Sequence, residues 1–411
     1  TDEIQAIWGI TKAKNLGEFK EALDHFDVGA QNWVYGDVEG NIAWYPSHQI
    51  PNRPWLDEEG GHLLPPFLPL PGDGSAEWDG FIPRDQLPQV TNPPEGWMAT
   101  ANADPIGVAF DGDPFNNGPY LGYVWAPGYR LGRAQDRIRA LVDAGTKITP
   151  QHMMDVQSDH HSSLGEVMTP LLLEALTAAQ AGTDALAADY WTDEMEDVAA
   201  RLAAWDFRAA AGVDPAGVWA EDGSDEAKAS IATAIFNAFY VFLLDNALAD
   251  EGIRDFHWYT PHTRMLVRML AWPETMATYN EATGESRLWD DVTTEDVVET
   301  QAAILVKSLG QALVFLADPD TVGPSESGGF GTADMTQWRW GLLHTLTLAH
   351  NLTSLKDIPP STVLPEGFPR HGDNYNVDAS HHGDGTNFTY KSGPSIRAVF
   401  ELEDTVKAWS V

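Results

Sequence analysis

Apolar residues recur at three- and four-residue intervals over Ile4, Ile7 and Trp8, and again over Leu16, Phe19, Leu23 and Phe26, so residues 1–27 are predicted helical. Residues 28–47 switch to strand-like segments, VYGD and NIAWY. These flank Val38-Glu39-Gly40-Asn41, a turn composition, and a hairpin is expected. Residues 51–96 are rich in Pro and Gly (PNRPW, LLPPFLPLPGDG, TNPPEG), which excludes long helices and predicts an extended, ordered loop region. WMATANADP (97–105) predicts a short strand followed by a loop. Helical periodicity dominates 130–204 and fits 226–248 and 293–317. After about residue 330, short mixed elements return, with strands predicted over 374–379, 388–390 and 396–401. This order reads as α+β rather than regular βαβ. It predicts a first region over 1–150, a mainly helical lobe over 151–330, and a segment over 331–411 that returns to the first.

Length and composition narrow the function classes. A chain of 411 residues suggests two or three packed lobes, and a hydrophobic content of 43% predicts a sizeable core. No apolar run approaches the roughly 18–20 residues that cross a bilayer, so no membrane partner is expected. Acidic residues outnumber basic ones 61 to 24, for a net charge of -37. Nucleic acid and anionic lipid are disfavoured partners, because both need Lys and Arg patches. Two readings of the acidity stay open: a solvated surface suited to high salt, or carboxylates that hold a divalent cation. The first accounts for the total and the second for a handful of residues. With no Cys, disulfides, thiolate catalysis and thiolate metal sites are excluded.

Motifs that would announce other chemistries are missing. There is no GxSxG elbow, and SESGGFG (325–331) lacks its spacing. His160 and His161, with His371, His381 and His382, fall in no HExxH or HxH frame. FDGDPFNNG (110–118) is oxygen-rich and turn-forming but does not follow the EF-hand pattern. The NxT sequons at Asn351 and Asn387 read as chance matches.

Five motifs, taken in order, carry a resemblance. AIWGITKAKN (6–15) leads into QNWVYGDVEGNIAWYPSHQIPNR (31–53). Then come LPLPGDGSAEWDGFIP (68–83), WMATANADP (97–105) and GYRLGRAQDRI (128–138). The series resembles the β-subunit of the penicillin acylase family of N-terminal-nucleophile hydrolases. WRWGLLH (338–344), HGDNYNVDAS (371–380) and GPSIRAVFEL (393–402) resemble later elements of the same subunit, with a weaker match between about 180 and 330. The resemblance implies an αββα sandwich, partial here, with a helical lobe. An α-subunit and a β N-terminal segment would complete it.

Residue by residue, Asn102 matches the Asn that donates its side-chain N–H to the oxyanion of the tetrahedral intermediate. A neutral amide aimed at developing negative charge is what acyl transfer requires. Arg130 matches an Arg that organises the nucleophile's surroundings. Trp8 and Gln31 match positions lining the acyl pocket, where phenylacetyl-preferring members place an apolar residue at the second. Asn32 and Trp33 are expected to face the active centre. Asp113 and Pro66 match two of the positions that hold a structural Ca²⁺, with Asp111 the substitute if the register slips.

In the family the nucleophile is the first residue of the autoproteolytically released β-subunit, usually Ser in S-N-x-W, with its own α-amine as base. TDEIQAIW matches an internal helix instead, so Thr1 is rejected and the nucleophile is expected upstream. The implied activity is hydrolysis of an acyl amide in a β-lactam, an N-acyl homoserine lactone or an acylated peptide. The implied location is periplasmic or extracellular. The alternative is a non-catalytic carbohydrate- or partner-binding protein, suggested by sixteen Trp residues and the acidic surface.

Overall fold

The computed structural model describes residues 2–410 apart from 48, 57–63, 108–112, 114, 116–117, 123, 215, 256–258, 319–328, 349–366 and 403–406. Two compact units emerge: Thr1–Met153 with Ala398–Val411, and Met154–Arg397.

In the first unit, α1 (Glu3–Ile10) and α2 (Leu16–Leu23) split the predicted N-terminal helix. The break follows from Asn15, whose side chain accepts the Glu18 N–H while Glu18 accepts the Lys14 N–H. This reciprocal cap restarts the helix. Strands β1 (Gln31–Gly36) and β2 (Ile42–Ser47) form the expected hairpin, from Gln31 opposite Ser47 to Gly36 opposite Ile42. At its tip Gly40 takes φ +88°, and Asp37 accepts from the Glu39 and Asn41 backbone. A short β3 (Val90–Thr91) joins β2, tied by a 2.6 Å bond between the Tyr45 and Thr91 hydroxyls. Side-chain alternation puts Trp33, Tyr35, Ala43 and Tyr45 against Phe19 and Leu23 of α2. The opposite face leaves Val34 62% exposed.

WMATANADP differs from its expectation. It forms no strand; Asn102 sits in the left-handed region at φ 61°, and only Ala103 bridges to Ala126. Asn tolerates this conformation because its short polar side chain bonds locally. Helix α3 (Tyr129–Asp143) then starts after Gly128, and α4 (Pro150–Gln157) carries the boundary between units.

The second unit gathers α5 (Ser163–Ala181), α6 (Ala185–Asp189), α7 (Glu194–Ala203), α8 (Asp225–Leu248), α9 (Tyr259–Ala271) and α10 (Gln301–Leu316). Contrary to the sequence expectation, α8 is long and apolar enough to cross a membrane, but 89% of its apolar window is buried inside its own chain. It is the core helix. Phe236, Phe239, Tyr240 and Leu244 are fully buried, each worth about 1.5–3 kcal/mol of transfer free energy.

The predicted strand over 374–379 is a chain of turns instead. Asp373 accepts the Tyr375 N–H, while Asn374 accepts from His382 and Gly383. Side-chain oxygens thereby take the place of a ladder partner. Residues 388–390 also form no strand, whereas Ala398–Glu401 pairs with Lys407–Ser410 in the first unit.

Candidate functional site

Asn102 and Arg130, 28 residues apart, meet in the first unit. One Arg130 terminal nitrogen lies 2.8 Å from Asn102 Oδ1 and 3.1 Å from the Ala101 carbonyl. Guanidinium N–H groups only donate, so the contacted carboxamide atom must be the oxygen. The amide is thereby oriented with Nδ2 turned away from Arg130. Asn102 is exposed, and Nδ2 donates to no other described residue. The Ala126 N–H donates to the Asn102 carbonyl at 2.9 Å, which pins the backbone. Asp104, buried beside it, accepts from the Ile106 and Gly107 N–H groups and holds the following turn. Burial lowers the Arg130 pKa from 12.5, an ordinary consequence of desolvating a cation. The result is a fixed, outward-facing amide donor held by a desolvated cation.

The other expected site residues separate into distinct environments. Trp8 is 63% exposed on α1, with the Lys12 ammonium 4.4 Å above its ring. Gln31 is exposed and donates to the Gly29 carbonyl. Asn32 accepts from Trp44 Nε1 at 2.8 Å across the hairpin. Trp33 points the other way. It packs edge-on against Phe26 at 5.4 Å, so it forms part of the wall between sheet and helices. Neighbours on a strand face opposite sides, and Asn32 and Trp33 therefore cannot line one surface together. No hydrogen bond or ring contact among the described residues links Trp8, Gln31, Asn32 or Trp33 to Asn102.

Asp113 accepts from the Phe115 N–H at 2.9 Å, and Phe115 stacks on Phe67, the residue after Pro66, at 6.2 Å. The two Ca²⁺ candidates thus share a neighbourhood. One carboxylate and one carbonyl fall short of the six to eight oxygens Ca²⁺ takes. No group of three His, Cys, Asp or Glu suited to a metal occurs among the described residues. Asp111 and Asn351 lie outside the described residues.

Sequence reasoning did not bring together the partners in two clusters. In the first unit, Arg53 lies against Trp78 and Tyr120. The second unit holds a histidine network. Asp378 pairs with His160 at 2.9 Å, with Arg370 at 3.0 Å, and with Arg397. Burial would raise the Asp378 pKa, but the His160 and Arg397 bonds outweigh it and hold the carboxyl low. His344 Nδ1 reaches the Phe388 carbonyl at 2.7 Å and Nε2 the Ser380 hydroxyl at 2.9 Å, both inside the core. The sequence signals were the PNR motif for the first cluster and, for the second, His160 and His371 together with the WRWGLLH and HGDNYNVDAS runs.

The penicillin amidase family model matches residues 1–411. The chain belongs to the penicillin amidase family. Among curated relatives, it is 25% identical to acyl-homoserine lactone acylase QuiP of Pseudomonas fluorescens, over 97% of this chain and 42% of that protein. It is 30% identical to penicillin G acylase of Escherichia coli, over 42% of this chain and 18% of that protein. The chain therefore spans less than half the length of these curated relatives. The solved structure of a thermostable penicillin G acylase from Alcaligenes faecalis aligns with a TM-score of 0.49 and 20% identity, covering 82% of this chain and 54% of that one.

Proposed function

We propose that this chain is part of an N-terminal-nucleophile amidohydrolase that cleaves an acyl group from an amine, in which Asn102 supplies a side-chain donor to the oxyanion. The observation carrying the reading is the Asn102–Arg130 pair, with the amide oxygen held at 2.8 Å and the nitrogen left free. Arg130 acts as a positioning residue, because it fixes which end of the amide faces outward. A pre-oriented donor needs no reorganisation as negative charge develops on the carbonyl oxygen. The nucleophile, an N-terminal Ser with its own amine as base, belongs to a segment outside this chain. An α-subunit and that segment complete the αββα sandwich and most of the acyl pocket, with Trp8 and Gln31 at its rim. The substrate is a small amide: an N-acyl homoserine lactone, a β-lactam side-chain amide or an acylated peptide. The lactones fit the long alignment to QuiP. Ca²⁺, if held, takes Asp113 and the Pro66 carbonyl together with oxygens from elsewhere. A periplasmic or extracellular location accords with this class.

The test is the reconstituted enzyme carrying Asn102→Ala. Its kcat is expected to fall about 10²–10³-fold, the usual cost of one oxyanion donor, with KM little changed. Arg130→Lys keeps the charge but loses the fork and should fall in between. Wild-type turnover by Asn102→Ala sinks the assignment.

A further inference from the structure

A cavity of about 210 Å³ in the first unit is lined by Asn52, Arg53, Leu56, Ile82, Gln86, Phe115 and Tyr120, among others. Arg53 is half-buried there, its guanidinium 5.3 Å from the Tyr120 ring centre and 5.9 Å from that of Trp78. Tyr120 stacks on Phe115 at 5.4 Å, and Phe115 on Phe67 at 6.2 Å, so the cation ends a ladder of rings. Among the described residues it donates to the Pro51 carbonyl, at 3.1 Å. No carboxylate among the described residues pairs with it, and burial lowers its pKa from 12.5 against an opposing contribution from Tyr120. In a chain with 61 acidic residues, a half-buried Arg with no carboxylate partner among the described residues stands out. Asn52 and Gln86 line the same cavity, and neither side chain bonds to another described residue.

We propose that this cavity binds a small monocarboxylate, with Arg53 gripping both oxygens. A guanidinium presents two parallel N–H groups that match a carboxylate, and ring faces stabilise the cation without using those donors. Asn52 and Gln86 supply further amide donors to the same oxygens. Phe115, Tyr120, Leu56 and Ile82 offer apolar surface for a ring or short chain attached to the carboxylate. The volume lies below the roughly 300–1,000 Å³ of drug-sized sites, which limits the occupant to fragment size. A net charge of -37 disfavours a dianion more than a monoanion, which selects carboxylate over phosphate. The site stands apart from the hydrolase reading, since none of its residues was assigned a role there.

The test is isothermal titration of the 411-residue chain with benzoate, acetate and inorganic phosphate at constant ionic strength. Saturable one-to-one benzoate binding is expected, tighter than acetate or phosphate, and at least tenfold weaker in Arg53→Gln. Circular dichroism checks that this variant folds. If it does not, Trp78→Ala, which alters a ring that is 59% exposed, decides instead with a several-fold loss. Absence of saturable benzoate binding to the wild type overturns the proposal. So does tighter binding of phosphate, or unchanged affinity in the deciding variant.

Discussion

His344 makes the second unit sensitive to mild acid. Its ring is fully buried, and burial drives its pKa from 6.5 down to about 3, helped by the positive charges of Arg370, His371 and His381 and opposed by the Phe388 carbonyl. The bond to that carbonyl requires Nδ1 to carry the proton, so Nε2 is the acceptor and Ser380 the donor. Protonation would place a charge in a core where no carboxylate among the described residues bonds to the ring. The sign follows from which state binds the proton. Above pH 6.5 both states are neutral and stability is full. As pH falls from 6.5 toward 3, the unfolded chain takes up a proton that the folded one refuses, and stability drains away. The whole gap is worth about 5 kcal/mol at 1.36 kcal/mol per unit, of which about 2 kcal/mol is lost between pH 7 and pH 5. His382, also buried, has its pKa pushed well down by burial and by His344, and adds to the same slope. Urea unfolding at pH 7.5, 6 and 5, followed by tryptophan fluorescence, measures the loss. His344→Asn keeps a donor near Nδ1 but strands the Ser380 hydroxyl, so it should cost about 1–3 kcal/mol at pH 7.5. It should then lose about 2 kcal/mol less than wild type on going to pH 5. An unchanged pH slope in that variant would refute the reasoning, because a purely structural role shifts stability without altering its slope.

Two further outcomes test the architecture. Gly212 holds φ +83°, and an added Cβ would lie 2.5 Å from Arg339 Cδ and 2.7 Å from Ser230 Oγ, so Gly212→Ala should cost about 2 kcal/mol or more in urea unfolding at pH 7.5. Asn15→Ala removes the cap that separates α1 from α2 and should cost about 1 kcal/mol, seen as a lower urea midpoint for the first unit.

The elements that sequence reasoning recovered are those fixed by near neighbours. The β1–β2 hairpin follows from alternation and a four-residue turn, and both act within about ten residues. Helices α3, α5, α8 and α10 fall within or close to spans read as helical, although α10 starts only at Gln301 and α8 is apolar on nearly every face rather than along one stripe. The failures share a cause as well. Residues 374–379 alternate like a strand, yet Asp373 and Asn374 bond to backbone within ten positions and fold the segment into turns. Apolar alternation carries no record of that competition, since it weighs side-chain polarity and ignores where an Asn oxygen finds a donor.

The candidate site divides along the same line. Asn102 was found through a motif, but its conformation was misjudged, because the partner that orients its amide lies 28 residues on. The motif supplied the residue type, and only the Arg130 contact supplied the direction in which the donor points. Under the proposed oxyanion role, direction decides the chemistry: the same Asn with its oxygen outward would repel an oxyanion rather than bind it. Trp33 shows the converse. Its motif position suggested a site wall, but strand parity ties it to Phe26 and the helices, a consequence of pairing that could have been worked out from the hairpin alone. Arg53 was visible as the end of PNR, yet its meaning depends on Trp78 and Tyr120, 25 and 67 residues away. Cations in loops ordinarily find a carboxylate, and in so acidic a chain that expectation is strong. Only the assembled structure reveals that, among the described residues, this one is faced by rings.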